Sequence, residues 1–218
     1  MKKLLSWLLI AVLAVSMISA AAAEETVDVL DFEDGAFAFI GASNERPNAD
    51  SATSLELIDY EGSKALRISA EGIPCVGLNV TGLAGERLAD VAAISFDVGI
   101  ENGADGKFHA VSGNVYSYTG EDKTEQKTAW SVYMAKKNPR NIVIALDELC
   151  PDTSLLITEE DHASPDTIPF ILDNIKLLDK DGNAIALNPA AEYTPAETGR
   201  DLSTLVALTN AVELAGFQ

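Results

Sequence analysis

From Thr26 to Leu187 the chain is a succession of short runs of β-branched and alternating apolar residues, separated by Gly, Asn, Asp and Pro. The run "SLELIDYEGSKALRIS" alternates apolar and polar residues on both sides of Glu61 and Gly62, a pattern typical of a β-hairpin. About ten such runs follow one another without a long helical pattern between them. We therefore predict an all-β fold, an antiparallel β-sandwich rather than a parallel α/β sheet.

The first 23 residues have the pattern of a secretory signal peptide. Lys2 and Lys3 precede a long apolar run, and the small residues Ala21 and Ala23 fit a cleavage site. We expect residues 1–23 to be removed and the protein to be secreted, with an uncleaved membrane anchor as the alternative. No later segment reaches the roughly 18 consecutive apolar residues of a membrane span, so we expect a soluble mature protein.

Charge and composition exclude some classes of partner. The chain has 34 acidic and 15 basic residues, a net charge of −19, so its surface repels phosphate backbones and a nucleic acid partner is not expected. Hydrophobic residues make up 47% of the chain, which is enough for a packed core and argues against disorder.

Two cysteines, Cys75 and Cys150, occur in a chain that we expect to enter an oxidising compartment. A single disulfide between them is one interpretation, and two buried free thiols are the other. The chain has no CxxC motif, so zinc or thioredoxin chemistry has no support.

The composition changes after Asn188, and we place the boundary of the sandwich domain there, at 24–188. Residues 189–218 read as a Pro-rich and Ala-rich linker followed by a short helix that starts near Asp201. Such a helix is too short to be stable alone, so we expect it either to dock on the sandwich or to contact a protein partner.

Several runs resemble, in order and spacing, the jelly-roll carbohydrate-binding modules of the galactose-binding-like superfamily. They are "VLDFEDG", "GSKALRIS", "LADVAAISFDVGIENG", "NPRNIVIALDEL" and "FILDNIKL". The resemblance covers roughly residues 30 to 180. It implies a jelly roll that binds a glycan and carries no catalytic machinery of its own.

The resemblance also implies a structural calcium ion, held by acidic residues at the end of the first strand and on the last strand. The matching residues are Glu33, Asp34 and Asp173. Calcium takes about six to eight oxygen ligands, and a carboxylate inside an apolar strand is unfavourable unless it is paired. Period-two alternation puts Asp173 on the face of Ile171 and Ile175, and the alternative is a carboxylate at the sheet rim bonded to an amide or a lysine.

Aromatic residues cluster in two neighbouring runs and are the candidates for sugar binding, because pyranose rings pack on flat aromatic surfaces. They are Tyr116, Tyr118, Trp130 and Tyr133. Trp130 shares its face with Val132, which favours a core position, so the three tyrosines are the better candidates for a ligand-facing set.

We therefore predict a secreted, non-catalytic glycan-binding module. The main alternative is a structural or protein-interaction domain of the cell surface without a sugar ligand. A small glycan-processing hydrolase is a third possibility, but no G-x-S-x-G or H-E-x-x-H motif is present.

Overall fold

A computed structural model describes residues 26–46, 52–100, 110–132, 139–160 and 169–195. The signal peptide over 1–23, Tyr133 and the helix predicted from Asp201 lie outside the described residues. None of the helices in the described ranges has the length and apolar character that crossing a bilayer requires.

The described residues form ten strands, an α-helix and a 3-10 helix. The strands are β1 (Ile40–Ala42), β2 (Ser54–Tyr60), β3 (Ser63–Ser69), β4 (Cys75–Leu78), β5 (Ala93–Ile100), β6 (Val111–Thr119), β7 (Thr124–Val132), β8 (Arg140–Ala145), β9 (Leu155–Glu159) and β10 (Phe170–Leu178). Helix α1 (Val80–Ala84) and the 3-10 helix (Gly85–Asp90) follow β4.

The strands make two five-stranded sheets, and all paired neighbours are antiparallel. The first sheet has the order β1-β4-β9-β6-β7, and the second has the order β2-β3-β10-β5-β8. Successive strands alternate between the sheets over much of the chain, as in a jelly roll. The predicted all-β sandwich is confirmed.

The predicted hairpin is strands β2 and β3, joined by the two-residue turn Glu61-Gly62. Both turn residues have positive φ, 51° and 93°, as the mirror-image turns of two-residue hairpins require. Glycine at the second position adopts this conformation without a Cβ clash, and Tyr60 pairs with Ser63 across the turn.

The core lies between the sheets and is built by alternate residues of each strand. The first sheet contributes Val76, Leu78, Val115 and Ile157, and the second contributes Leu66, Phe96, Phe170 and Leu172, all of which are buried. Period-two alternation in the sequence produces this arrangement, because successive strand residues point to opposite faces.

The first and last described segments lie side by side, as the sequence predicts. Leu30 and Ile175 exchange two backbone hydrogen bonds of 2.9 and 3.0 Å, and Val27 and Leu187 exchange two of 2.9 and 2.7 Å. These pairs are isolated bridges, so the first described segment does not form a continuous strand.

The prediction that Asp173 shares a face with Ile175 is wrong, because β10 contains a bulge. Asp173 pairs with Asp97, whereas Lys176 pairs with Ser95, so one extra residue lies in β10. The extra residue changes the alternation: Leu172 and Ile175 face the core, and Asp173 faces away from it. Asn174 has a positive φ of 50°, a conformation that Asn tolerates better than most residues.

The disulfide between Cys75 and Cys150 is not formed, and both thiols are free and buried. Cys75 and Asn114 both pair with Thr158, one on each side of β9, so they occupy the same position along the strand direction. Cys150, in contrast, lies beside Tyr118, because its N–H donates to the Tyr118 carbonyl. The positions therefore differ by four residues, about 13 Å along the strand direction. A disulfide needs Cα atoms within about 7 Å.

Candidate functional site

The outer face of the first sheet carries the side chains that alternate with the core residues. One row crosses the sheet through Gly41, Gly77, Leu156, Tyr116 and Lys127, which are paired neighbours on β1, β4, β9, β6 and β7. We call this surface the outer face. It contains two of the residues predicted to contact a ligand, Tyr116 and Tyr118.

Tyr116 is buried beneath this face, and the prediction that its ring is open to a ligand is wrong. Its exposure is 1%, and it packs with Cys75 and Leu156 in a small apolar cluster separate from the main core. The guanidinium carbon of Arg46 lies 3.7 Å above the ring centroid, and Lys127 Nζ lies 5.3 Å from it. Two cations over the negative face of the ring form cation–π contacts. Tyr118 is half-buried.

The phenol of Tyr116 connects the buried cluster to an acid at the surface. Its hydroxyl donates to Glu160 Oε1 at 2.7 Å, and Thr158 Oγ1 donates to the same oxygen at 2.9 Å. Lys127 Nζ lies 3.4 Å from Glu160 Oε2. Burial acts to raise the pKa of Glu160, but the hydrogen bonds and the lysine charge outweigh it and lower that pKa. Glu160 is therefore a fixed carboxylate at neutral pH.

Arg46 is held in place by a second acid. Its guanidinium forms an ion pair with Glu125 on β7, the strand that also carries Lys127. Burial acts to lower the pKa of Arg46, and the neighbouring Tyr116, Glu125 and Tyr118 raise it. The paired charges surround Tyr116 without leaving a net excess of either sign.

An open pocket of about 390 Å³ lies beside Glu160, over β6 and β7. Its polar lining consists of the hydroxyls of Ser112 and Ser131, the amide of Asn114, the ammonium of Lys127 and the carboxylate of Glu160. Gly113, Ala129 and Trp130 complete the lining. Thr158 positions the lining from below, because its hydroxyl accepts from Asn114 N at 3.3 Å and donates to Glu160. These side chains can donate hydrogen bonds to a polyhydroxylated ligand and accept hydrogen bonds from it.

Trp130 belongs to the main core, as the face that it shares with Val132 predicts, and its role in ligand binding stays a prediction. Its exposure is 4%, and its ring lies edge-on to Phe96 and tilted against Phe170, with both centroid distances 6.1 Å. The indole Nε1 has no hydrogen-bond partner. Among the described residues, the outer face therefore has no exposed tryptophan platform.

Sequence reasoning missed Asn114, Lys127 and Glu160. The signal available was alternation, since Asn114 lies two residues before Tyr116 and shares its face. The pairing of β6 with both β7 and β9, which brings Lys127 and Glu160 together, is a long-range register that a single sequence does not specify.

Two of the three residues predicted to hold calcium meet on the second sheet, beside the first residue of β3. Ser63 Oγ lies 2.8 Å from Glu33 Oε1 and 3.1 Å from Asp173 Oδ2, so the hydroxyl bridges the two carboxylates. Glu33 Oε1 also accepts from Lys64 N at 2.9 Å, and the hydrogen bonds from Lys64 N and Ser63 lower the pKa of Glu33. Asp34 does not join them, because its Oδ1 accepts from Ala36 N within its own turn.

Asp173 is in an environment that disfavours its ionised form. Burial raises its pKa to about 6, and the negative charges of Asp97 and Asp31 act in the same direction, against hydrogen bonds from Asn174 N and Ser63. Asp97 lies directly opposite Asp173 on β5 and accepts hydrogen bonds from Asn141 and Asn174 at 2.9 and 3.0 Å. A cation beside Asp173 would relieve this repulsion.

The donors fit calcium in kind, being carboxylate and hydroxyl oxygens, but they are few. Among the described residues there is no group of three or more His, Cys, Asp or Glu side chains that could hold a metal ion. Glu33 and Asp173 would supply two of the roughly six to eight oxygens that calcium takes, and backbone carbonyls and water would have to supply the others. Calcium at this position stays a prediction.

Comparison with known proteins gave matches only among solved structures. No family model matches the chain, and no curated protein matches it. The xylan-binding domain CBM22-1 of Paenibacillus barcinonensis Xyn10C is 17% identical with a TM-score of 0.45, over 76% of this chain and 100% of that one.

Two further solved structures are of the same kind. The family 11 carbohydrate-binding module of cellulase Lic26A-Cel5E of Clostridium thermocellum is 13% identical with a TM-score of 0.42, over 72% of this chain and 96% of that one. The mannan-recognising module TmCBM27 is 16% identical with a TM-score of 0.44, over 70% and 96%. All three of these solved structures are carbohydrate-binding modules.

Proposed function

We propose that this protein is a secreted, non-catalytic module that binds a glycan in the pocket over β6 and β7. The observation that carries the proposal is the lining of that pocket. Asn114, Lys127 and Glu160 converge on one side of it, and Thr158 and Tyr116 hold Glu160 in a fixed position. A preorganised amide, ammonium and carboxylate match the mixed donor and acceptor character of sugar hydroxyls.

The mode of binding that we propose is hydrogen bonding rather than aromatic stacking. Trp130 and Tyr116 are both buried, so neither presents a ring to a sugar from its present position. Each sugar hydroxyl must give up water to bind, which limits the gain from each contact. We therefore expect weak binding, with a dissociation constant on the order of 0.1 to 1 mM.

The lining also favours binding over hydrolysis. Glycoside hydrolysis ordinarily uses two carboxyl groups on opposite sides of the scissile bond. Of the described residues that line this pocket, Glu160 is the only acid. Glu160 is also a poor general acid at neutral pH, because its pKa is lowered.

Affinity electrophoresis tests the proposal. The protein is run through gels that contain soluble xylan or mannan, the glycans named for two of the similar structures, and through a gel without polysaccharide. We expect retardation by at least one glycan, and Asn114→Ala and Glu160→Gln should each weaken it about tenfold, the effect of losing hydrogen bonds to charged or polar partners. Absence of retardation across a wide panel of polysaccharides would overturn the proposal.

Lys127 permits a matched control. Lys127 pairs with Glu160 in the pocket, and Lys180 pairs with Asp181 at 2.9 Å in an exposed turn. Lys127→Ala and Lys180→Ala make the same change in net charge, so only the first should weaken retardation. Equal effects would indicate a nonspecific charge contribution and not a site.

A further inference from the structure

The ring of Tyr193 lies on the outer face, on the row that also contains Tyr116 and Lys127. A Cβ added to Gly77 would lie 2.3 Å from the Tyr193 hydroxyl oxygen, and one added to Gly41 would lie 2.8 Å from Cδ1. The ring therefore rests directly on the backbone of β1 and β4, and only glycine at these two positions leaves room for it. We call Gly41 and Gly77 the glycine platform.

The hydroxyl of Tyr193 donates a hydrogen bond to the carboxylate of Glu45, which also accepts hydrogen bonds from serine hydroxyls. Tyr193 OH donates to Glu45 Oε1 at 2.9 Å, and Ser154 Oγ donates to the same oxygen at 3.0 Å. Ser43 Oγ lies 3.5 Å from that oxygen. Burial, with the negative charge of Glu45, strongly raises the pKa of the Tyr193 phenol. The platform thus offers a flat surface with a hydroxyl-binding carboxylate at its end.

The main chain of this segment is anchored independently of the ring. Tyr193 N donates to Ala38 O at 2.7 Å, and Asn79 Nδ2 donates to Glu192 O at 2.7 Å. An open pocket of about 390 Å³ lies beside the ring, lined in part by Thr81, Ser154 and Thr194. Rotation about the Cα–Cβ bond of Tyr193 can therefore move the ring off the platform without breaking either backbone anchor.

We propose that the glycine platform is a second sugar-ring subsite of the outer face. In the structure, the ring of Tyr193 from the same chain occupies this subsite. This inference rests on the proposed function and extends the same site toward β1. A pyranose is a six-membered ring with hydroxyls at its rim, so it can replace the phenol ring over Gly41 and Gly77 and donate to Glu45. Three strand spacings, about 14 Å, separate β4 from β7, a span that an oligosaccharide of a few residues covers.

The consequence is a closed and an open form of the outer face. In the closed form, a glycan reaches only the pocket of Asn114 and Glu160. In the open form the glycan also contacts the platform. Because Tyr193 must first leave the platform, the apparent affinity is the intrinsic affinity of the open form multiplied by the fraction of protein that is open. Removing the ring should therefore tighten binding.

Backbone amide NMR of the full chain tests this inference, with xylohexaose and mannohexaose as probes. In the wild type we expect shifts at Asn114 and small shifts at Gly41 and Gly77. In Tyr193→Ala the glycine amides should shift strongly, with about fivefold tighter binding. Tyr193→Phe keeps the ring over the platform and should behave more like the wild type.

Tyr60→Ala is the matched control. The Tyr60 ring covers Gly99 on the second sheet in the same manner, since a Cβ there would lie 2.5 Å from Tyr60 Cε1. Tyr60→Ala should leave binding of both probes unchanged. Equal tightening in both tyrosine variants would overturn the inference.

The outcomes separate this inference from the proposed function. Shifts at Asn114 with none at Gly41 and Gly77 in Tyr193→Ala would overturn the subsite and leave the proposed function standing. Shifts at the glycines alone would support the subsite and overturn the pocket over β6 and β7. No shift at either place with either probe would overturn the subsite.

A measurement on the native sequence keeps the inference testable if Tyr193→Ala does not fold. Fluorotyrosine is incorporated throughout, and the Tyr193 signal is assigned from its loss in Tyr193→Phe. Saturating oligosaccharide should move that signal toward the value of a solvent-exposed tyrosine. A signal that stays unchanged at saturation would overturn the inference.

Discussion

The guanidinium of Arg46 lies 3.7 Å above the ring of Tyr116 and joins two strands that are far apart in the chain. Arg46 follows β1, and its ion-pair partner Glu125 lies on β7, at the opposite edge of the same sheet. The contact therefore connects both edges of the sheet across its outer face, above a tyrosine ring that Lys127 also approaches.

We predict that Arg46→Ala lowers the free energy of unfolding by about 1 kcal/mol, because it removes a partly buried cation–π contact and exposes Tyr116. Arg46→Lys should recover part of the loss, since lysine keeps the charge but lacks the planar group. Urea denaturation followed by far-UV circular dichroism measures both. Arg87→Ala, which breaks the exposed pair with Asp90, is the control and should change stability by less than about 0.5 kcal/mol. Similar losses in both alanine variants would contradict the role given to Arg46.

Asp173 should make stability depend on pH in the presence of a chelator. Its pKa is raised from 3.8 to about 6 in the folded state, so its stabilising contribution is complete below pH 3.8 and is lost as the pH rises through 6. Asp173→Asn cannot ionise and should be more stable than the wild type at pH 8 by about 1 to 2 kcal/mol, a value reduced for solvent screening. At pH 3.5 the two should be equal.

Urea denaturation at the two pH values in EDTA measures this difference. Asp181→Asn, which removes an exposed carboxylate in the turn after β10, is the charge-matched control and should not reproduce the gain in stability of Asp173→Asn at pH 8. The negative charges of Asp97 and Asp31 raise the pKa of Asp173, and the Ser63 hydroxyl connects Asp173 to a third acid, Glu33. A wild type more stable than Asp173→Asn at pH 8 in EDTA would contradict the prediction.

Calcium should reverse the ranking of the same two proteins at neutral pH. An ion held by Glu33 and Asp173 binds the ionised carboxylate and stabilises the folded state by mass action, about 2.7 kcal/mol at one hundred times the dissociation constant. Thermal unfolding at pH 7.5 should therefore shift upward when calcium replaces EDTA. Asp173→Asn and Glu33→Gln should lose the shift, and Asp34→Asn should keep it, because Asp34 binds its own turn. An identical melting temperature of the wild type with calcium and with EDTA would rule out the ion.

Sequence patterns predicted the sandwich and its core because alternation is a local property. Leu55, Leu57, Leu66 and Ile68 alternate with polar residues, and the hairpin that they predict is β2 and β3. The positive φ of Gly62 follows from the same local chemistry. Such features depend on neighbours a few residues apart, so a single sequence contains them.

The errors arose where one residue changes the alternation or where the register is long-range. The bulge at Asn174 reverses the face of Asp173 relative to Ile175, and nothing in "ILDNIKL" marks the extra residue except an Asn that tolerates positive φ. The sequence favours an exposed Tyr116 only because it assigns Trp130 to the core, and the structure buries both residues. The cover of Tyr116, Arg46, lies 70 residues earlier in the chain, and a sequence pattern does not reveal a contact of that separation.

Trp130 should report a core environment. With Trp7 replaced by Phe, Trp130 is the only tryptophan, and its burial predicts blue-shifted emission and weak quenching by acrylamide. Trp130→Phe removes an indole N–H that has no partner, so its unfolding free energy should fall by no more than about 1 to 2 kcal/mol, since the penalty of the unpaired donor offsets part of the lost packing. Red-shifted emission or strong quenching by acrylamide would contradict the core assignment.

The contact between Gly77 and Tyr193 should give a large coupling energy in a double-mutant cycle. Gly77→Ala places a methyl group 2.3 Å from the ring, which must move, so we expect a loss of about 2 to 3 kcal/mol in the wild-type background. In the Tyr193→Ala background the same substitution should cost less than about 1 kcal/mol, because the obstacle is gone. The difference, measured by urea denaturation of all four proteins, is the coupling between the two positions. Additive losses would mean that the ring does not rest on the platform in solution, and the closed form of the outer face would then have no basis.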